Sequence, residues 1–175
     1  MTSTISRRVR ECVDRAARLA GFVKHSTWFW TKSIEGDSLI LIVYLQKSRW
    51  GDSFYIELGA LFGGTPEKLH IWDAPLRMRV GAHVSDMRVT LPLDFNQAAN
   101  VEGQLKELGD ALEVGLFTEL CSIRSRKDLL AFIARCQDRT VNGKRTSFQV
   151  SRDFLSELQS EKHLEKRRGN GDLQV

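Results

Sequence analysis

The sequence predicts an α+β fold: an N-terminal helix, a four-stranded, mostly antiparallel sheet in meander order, and two C-terminal helices packed on one face. Three observations predict it. Residues 39–46 are apolar at nearly every position, the pattern of a strand covered on both faces. Residues 53–62 instead alternate, with Phe54, Ile56, Leu58, Ala60 and Phe62 on one face and Tyr55, Glu57 and Gly59 on the other. Over residues 5–20 and 101–136 the apolar residues instead recur at three- and four-residue steps, the period of helices.

Residues 5–20 carry the first helix. Ile5, Val9, Cys12, Val13, Ala16, Leu19 and Ala20 fall on one stripe, while Arg7, Arg8, Arg15 and Arg18 face away with Glu11 and Asp14. Gly21 follows the last apolar position and supplies a left-handed C-cap. Residues 27–31 are rich in strand formers, and Glu35-Gly36-Asp37 is a turn signal between that strand and residues 39–46. The polar connector 46–52 then joins residues 39–46 to 53–62 as a long hairpin. Gly63-Gly64 ends the second hairpin strand, and residues 63–75 form the longest irregular segment. A fourth strand is predicted over 76–84, where Leu76, Met78, Val80 and Ala82 alternate with Arg77, Arg79 and His83. Residues 87–91 form either a loop or a short strand ended by Pro92.

Val101, Leu105, Leu108, Leu112 and Leu116 predict a long helix to about residue 120, weakened by Gly109 and Gly115. Ser125 and Asp128 have the spacing of a capping box, and Leu129, Leu130, Phe132, Ile133 and Cys136 give the next helix its buried face. Residues 1–139 read as a single α+β domain. Residues 140–175 read as a C-terminal extension, with a weak helix anchored by Phe154, Leu155 and Leu158 and a basic tail with the composition of a disordered end.

With 175 residues the chain buries enough surface to need neither disulfide nor metal. Cys12, Cys121 and Cys136 are widely spaced and form no zinc pattern with the four histidines, so they read as small buried hydrophobes. No metal or cofactor is predicted. No apolar run approaches the roughly 20 residues of a membrane span, and the first twenty residues lack the apolar region of a secretory signal. A soluble, cytoplasmic protein is the expectation. A net charge of +4 permits acidic partners without demanding them.

Several residues together resemble one family. They are Gly21-Phe22 after the first helix, the aromatic run Trp28-Phe29-Trp30, and above all the stretch from Leu45-Gln46-Lys47-Ser48 through Arg49-Trp50-Gly51-Asp52-Ser53 to Phe54-Tyr55-Ile56. This pattern resembles the mostly bacterial domain of unknown function 4304 (DUF4304), over roughly residues 8–137. Arg77-Met78-Arg79 is similar to the Arg-x-Arg strand of that family, and residues 101–137 to its leucine-rich helix pair. Family members often carry a Cys-His or His pair before the Arg-x-Arg strand, where this chain has Asp73-Ala74-Pro75. The resemblance implies no catalytic residues.

The candidate binding residues are Gln46, Lys47, Arg49 and Trp50 in the connector, with Arg77 and Arg79 brought near if the fourth strand pairs beside the hairpin. A tryptophan beside basic groups suits a phosphate, a base or an acidic protein surface. The alternative is a plain hairpin tip. Trp50 then folds back on the core, Lys47 and Arg49 keep the sheet end soluble, and Gln46 satisfies backbone groups in the turn. Neither a nucleophile elbow nor a phosphate-binding loop is present. The leading expectation is a non-catalytic protein-binding module, immunity-like or accessory, with an acidic partner. A nucleic-acid-associated protein using the arginine-rich first helix and basic tail is the second, and an enzyme with a concave polar pocket the third.

Overall fold

The computed structural model describes residues 4–65, 68–81, 91–137 and 148–160. Its sheet is an antiparallel meander in the order β1-β2-β3-β4-β5-β6. The strands are β1 (Val23–Ser26), β2 (Phe29–Ser33), β3 (Leu39–Lys47), β4 (Phe54–Phe62), β5 (Leu76–Gly81) and β6 (Gln149–Val150). The fold class and the meander are as the sequence predicts, and the sheet gains two short edge strands. At one edge the residues after Gly21 turn back as β1 and pair with β2. At the other, β6 sets Val150 opposite Leu76 and Gln149 opposite Arg77. Four and two residues are too short to show a period in sequence, which is why neither strand is legible there.

The central hairpin pairs without interruption from Leu39 opposite Phe62 to Lys47 opposite Phe54. One face of the sheet presents Trp30, Leu41, Val43, Leu45, Phe54, Ile56, Leu58, Met78 and Val80 to a helical layer, and all of these are buried. That layer consists of α1 (Thr4–Leu19), α2 (Val101–Asp110), α3 (Phe117–Cys121) and α4 (Arg126–Gln137). A π-helical turn, Ala111–Leu116, joins α2 to α3 and keeps Leu112 and Leu116 buried along one continuous helical run. The capping box at α4 forms as predicted: the Ser125 hydroxyl donates to Asp128 at 2.8 Å and accepts from the Asp128 amide at 3.2 Å. Part of the C-terminal segment joins the same core. In α5 (Arg152–Gln159), Phe154 and Leu158 are buried, and the Phe154 ring lies 5.1 Å from that of Phe62. Cys136 is buried and Cys12 and Cys121 half-buried, and none of the three forms a disulfide.

The opposite face is not bare. Phe29, Ile42, Ile71 and Ala74 form a second, smaller apolar cluster, flanked by Tyr44, Leu61 and Leu69. Residues 69–74, with a single 3-10 turn at Ile71–Asp73, lie down over β3 and β4 to make it. Gly59 permits this approach: a Cβ there would sit 2.8 Å from Ile71 Cδ1 and 2.9 Å from the Ala74 methyl. The apolar run of β3 is therefore explained from both sides, by helices on one face and this roof on the other. Residues 82–84 of the predicted fourth strand and 87–90 of the possible fifth lie outside the described residues, as does the basic tail.

Candidate functional site

The hairpin connector is built by its own polar side chains. Lys47 Nζ reaches Asp52 at 2.7 Å across the turn and lies 5.9 Å from the Phe54 ring. The Ser48 hydroxyl accepts the Trp50 amide, and the Ser48 amide closes the turn on the Ser53 carbonyl at 2.8 Å. Asn96 then pins the tip from outside. Its Oδ1 accepts the Asp52 amide at 2.8 Å, and its Nδ2 donates to Ser53 and Asp94. Gly51, at φ +146°, leaves the space that Asn96 fills: a Cβ would fall 2.0 Å from Asn96 Oδ1. With the turn held this way, Trp50 projects outward and is 81 % exposed, with the Arg49 guanidinium 4.7 Å from its ring centre. Trp50 therefore does not fold back on the core. Lys47, by contrast, holds the turn together. Gln46 does not act as the turn's acceptor, because its Oε1 is buried with no hydrogen-bond partner among the described residues.

Arg77 and Arg79 come together on the open face of the sheet, two residues apart on β5, with Arg79 directly opposite Glu57 on β4. Glu57 is 2 % exposed. Its Oε2 accepts from Arg77 Nη2 at 3.0 Å and its Oε1 from Arg79. An acid buried this deeply requires such pairing, since an unpaired charge out of water is costly. Each arginine also lies on an aromatic ring: Arg77 is 4.6 Å from the centre of Trp72, and Arg79 is 5.3 Å from that of Tyr55. Arg77 Nε is buried and makes no hydrogen bond among the described residues. A cleft of about 130 Å³ opens here, lined by Glu57, Arg77, Arg79 and Gln149.

A second cleft of about 200 Å³ lies between His25, Phe29, Tyr44, His70 and Trp72. Trp72 is 56 % exposed and meets Tyr44 edge-on at 6.4 Å. The His25 ring is held by Thr31, Nε2 to Oγ1 at 2.6 Å. Of the six residues named from sequence, then, Gln46, Arg77 and Arg79 share the open face, Arg49 and Trp50 stand at the hairpin tip, and Lys47 belongs to the turn.

The arginine face of α1 is occupied by partners within the chain. Arg7 pairs with Glu11, Arg8 with Glu102, Arg15 with Glu113 and Arg18 with Asp14, while Arg10 lies over Trp28. Hydrogen bonding to Arg8 holds the Glu102 carboxyl below its ordinary range. Asp14 works at the helix–sheet junction. Burial alone would raise its carboxyl, but the Trp30 indole N–H at 2.9 Å, with Lys24 and Arg18, outweighs that and holds it below the ordinary carboxylate value.

A sequence model of one family, described as Domain of unknown function (DUF4304), matches residues 13–111, more than half of the chain. The chain belongs to the DUF4304 family. Comparison with curated proteins and with solved structures gives no match. The matched stretch is narrower than the resemblance read from sequence: it runs from within α1 through the hairpin and the arginine strand and stops where the π-helical turn begins. α4, β6 and α5 lie beyond it.

In this DUF4304 chain Lys47 and Ser48 of the connector, and the glycine, aspartate and serine after it, account for the turn's geometry, while Arg49 and Trp50 are what the turn presents. Sequence reasoning missed Glu57, Tyr44, Trp72, His25 and Gln149. Glu57 carried one signal: it is the sole acid in the otherwise apolar stretch 54–62. Trp72 and His25 carried none, because their place on the sheet depends on how a loop and an edge strand fold over it. Among the described residues no helix is long and apolar enough to cross a membrane.

Proposed function

We propose that this DUF4304 chain is a non-catalytic protein-binding module, immunity-like or accessory, that receives an acidic partner across its hairpin tip and the open face of its sheet. One observation carries the reading. A turn fixed by five polar residues holds Trp50 81 % exposed with Arg49 on its ring. A large aromatic side chain kept in water by a rigid turn gains nothing for folding, whereas tryptophan and arginine are the residue types that dominate binding energy at interfaces. The guanidiniums of Arg77 and Arg79 add cationic groups that suit an acidic surface.

The test uses the whole chain as bait in lysate of its source cells, with cross-links mapped by mass spectrometry. Support is an acidic protein cross-linked near the hairpin tip, lost in the double variant R49E/W50A while the melting temperature stays at the wild-type value. Capture that survives R49E/W50A overturns the reading, as does failure to capture any specific protein. Retention on heparin that falls steeply with salt would move the function to nucleic acid instead.

A further inference from the structure

Sheet and roof enclose a cleft whose walls are aromatic. Phe29 on β2 and Tyr44 on β3 stand opposite each other in register. The roof segment brings Trp72 to Tyr44, with 6.4 Å between ring centres and 60° between ring planes. His25, held by Thr31, and His70 are also among the described lining residues. Trp72 is a placed wall although it is 56 % exposed: its neighbour Ile71 is buried in the apolar cluster under the roof, and the Arg77 guanidinium lies 4.6 Å from its ring centre. A wall held before any occupant arrives spares the occupant part of the ordering cost of binding. The cleft measures about 200 Å³. That is below the roughly 300–1,000 Å³ of small-molecule pockets, whereas an apolar cavity of about 150 Å³ takes up one benzene. One ring with a small substituent is the occupant that matches.

We infer that this cleft receives the ring of a tyrosine side chain from the protein partner. The inference rests on the protein-binding reading above and names the side chain recognised. Rings inclined as Tyr44 and Trp72 are offer a third ring both a face and an edge, and such contacts add binding that an aliphatic side chain of equal area lacks. The hydroxyl of half-buried Tyr44 makes no hydrogen bond among the described residues, and its oxygen accepts from the incoming phenol O–H. A methylated ammonium is the other habitual occupant of aromatic cages. Here no described lining residue is acidic and Trp72 already carries a guanidinium, so a second cation meets like charge. Tyrosine also brings a large contact area with few rotatable bonds to order, one reason for its enrichment at interfaces.

The probe is the peptide acetyl-Ser-Tyr-Ser-amide, titrated into the isotopically labelled full chain while the Trp72 indole signal is followed by NMR. Control peptides carry Phe, Leu or trimethyllysine in place of the Tyr, and p-cresol supplies the same ring without a peptide. The Tyr peptide should move the Trp72 signal with a Kd of about 1 mM. It should bind about threefold tighter than the Phe peptide and about tenfold tighter than the Leu peptide. Y44F should bring it down to the affinity of the Phe peptide. W72L should weaken it about fivefold or more, read by saturation transfer to the peptide's ring protons. The inference is overturned by no Trp72 shift at about 10 mM, by a Phe or Leu peptide that equals the Tyr peptide, or by a trimethyllysine peptide that surpasses it. Binding of p-cresol without binding of the peptide overturns it too, as does full affinity in W72L or a surviving preference for Tyr over Phe in Y44F. The titration needs no partner protein. Failure here with capture at the hairpin tip intact removes only the tyrosine recognition, whereas loss of specific capture removes the protein-binding reading itself.

Discussion

Replacing both Arg77 and Arg79 by glutamine tests the cluster on which the open face depends. Glu57 keeps 3 % of its side chain exposed, while its partners keep 25 % and 36 %. A hydrogen bond to a charged group contributes roughly 1.5–3 kcal/mol. Water reaches both guanidiniums, which lowers that to about 1 kcal/mol for R77Q or R79Q alone. Either single variant still leaves the carboxylate one cation. The double variant leaves it none, and an uncompensated buried charge costs about 3–5 kcal/mol. For a chain of this length that lowers the melting temperature by roughly 6–20 °C. The loss should therefore exceed the sum of the single variants, and E57Q placed in the double background should recover most of the excess, since a neutral amide needs no counter-charge. Urea unfolding followed by tryptophan fluorescence measures all five proteins. A double-variant loss equal to the sum of the singles within about 0.5 kcal/mol, or no recovery from E57Q, would refute the claim that the arginines exist in part to hold Glu57.

Three further outcomes follow from single contacts. D14A leaves the buried Trp30 indole N–H without its acceptor and should cost about 1–3 kcal/mol, whereas D14N keeps an oxygen for that bond and should cost less, as measured by urea midpoint. Because the folded Asp14 carboxyl sits below its unfolded value of about 3.9, its contribution is complete above that pH and disappears as pH falls through the folded value. The wild-type advantage over D14N should shrink on acidification below about pH 4. G59A drives a methyl into Ile71 and Ala74, costs about 1–3 kcal/mol, and lifts the roof, so that Trp72 emission shifts towards that of a fully solvated indole. R49E/W50A touches no buried group and should leave the urea midpoint unchanged within about 0.5 kcal/mol; a larger loss would mean that the tip is structural.

The large elements were legible because each announces its burial through a period. The unbroken apolar run of β3 predicted cover on both faces, and the alternation of β4 predicted which side chains meet the helices. What the period could not say is what covers the second face. The roof over β3 and β4 is an irregular segment whose position depends on a missing side chain, Gly59, against Ile71 and Ala74, and no local pattern in residues 69–74 records that contact. The same limit governs the site. Arg77 and Arg79 were legible as alternate residues on a strand, but their counter-charge was not, because Glu57 becomes their neighbour only through the register of β4 against β5.

Hairpin tip and open face illustrate two ways in which polar residues are tied to a fold. At the tip, Lys47, Ser48, Asp52, Ser53 and Asn96 satisfy one another, so the turn is complete without a partner and Trp50 is surplus to it. On the face opposite the helices Glu57 accepts from both Arg77 and Arg79, Arg77 Nε and Gln46 Oε1 make no hydrogen bond among the described residues, and both arginines lean on aromatic rings. A purely structural cluster would gain stability from a second acid opposite Arg77, where the chain instead has Gly59. Gly59 serves the roof that places Trp72 over the sheet, so the residue opposite Arg77 is also the one that lets Trp72 come within 4.6 Å of the Arg77 guanidinium.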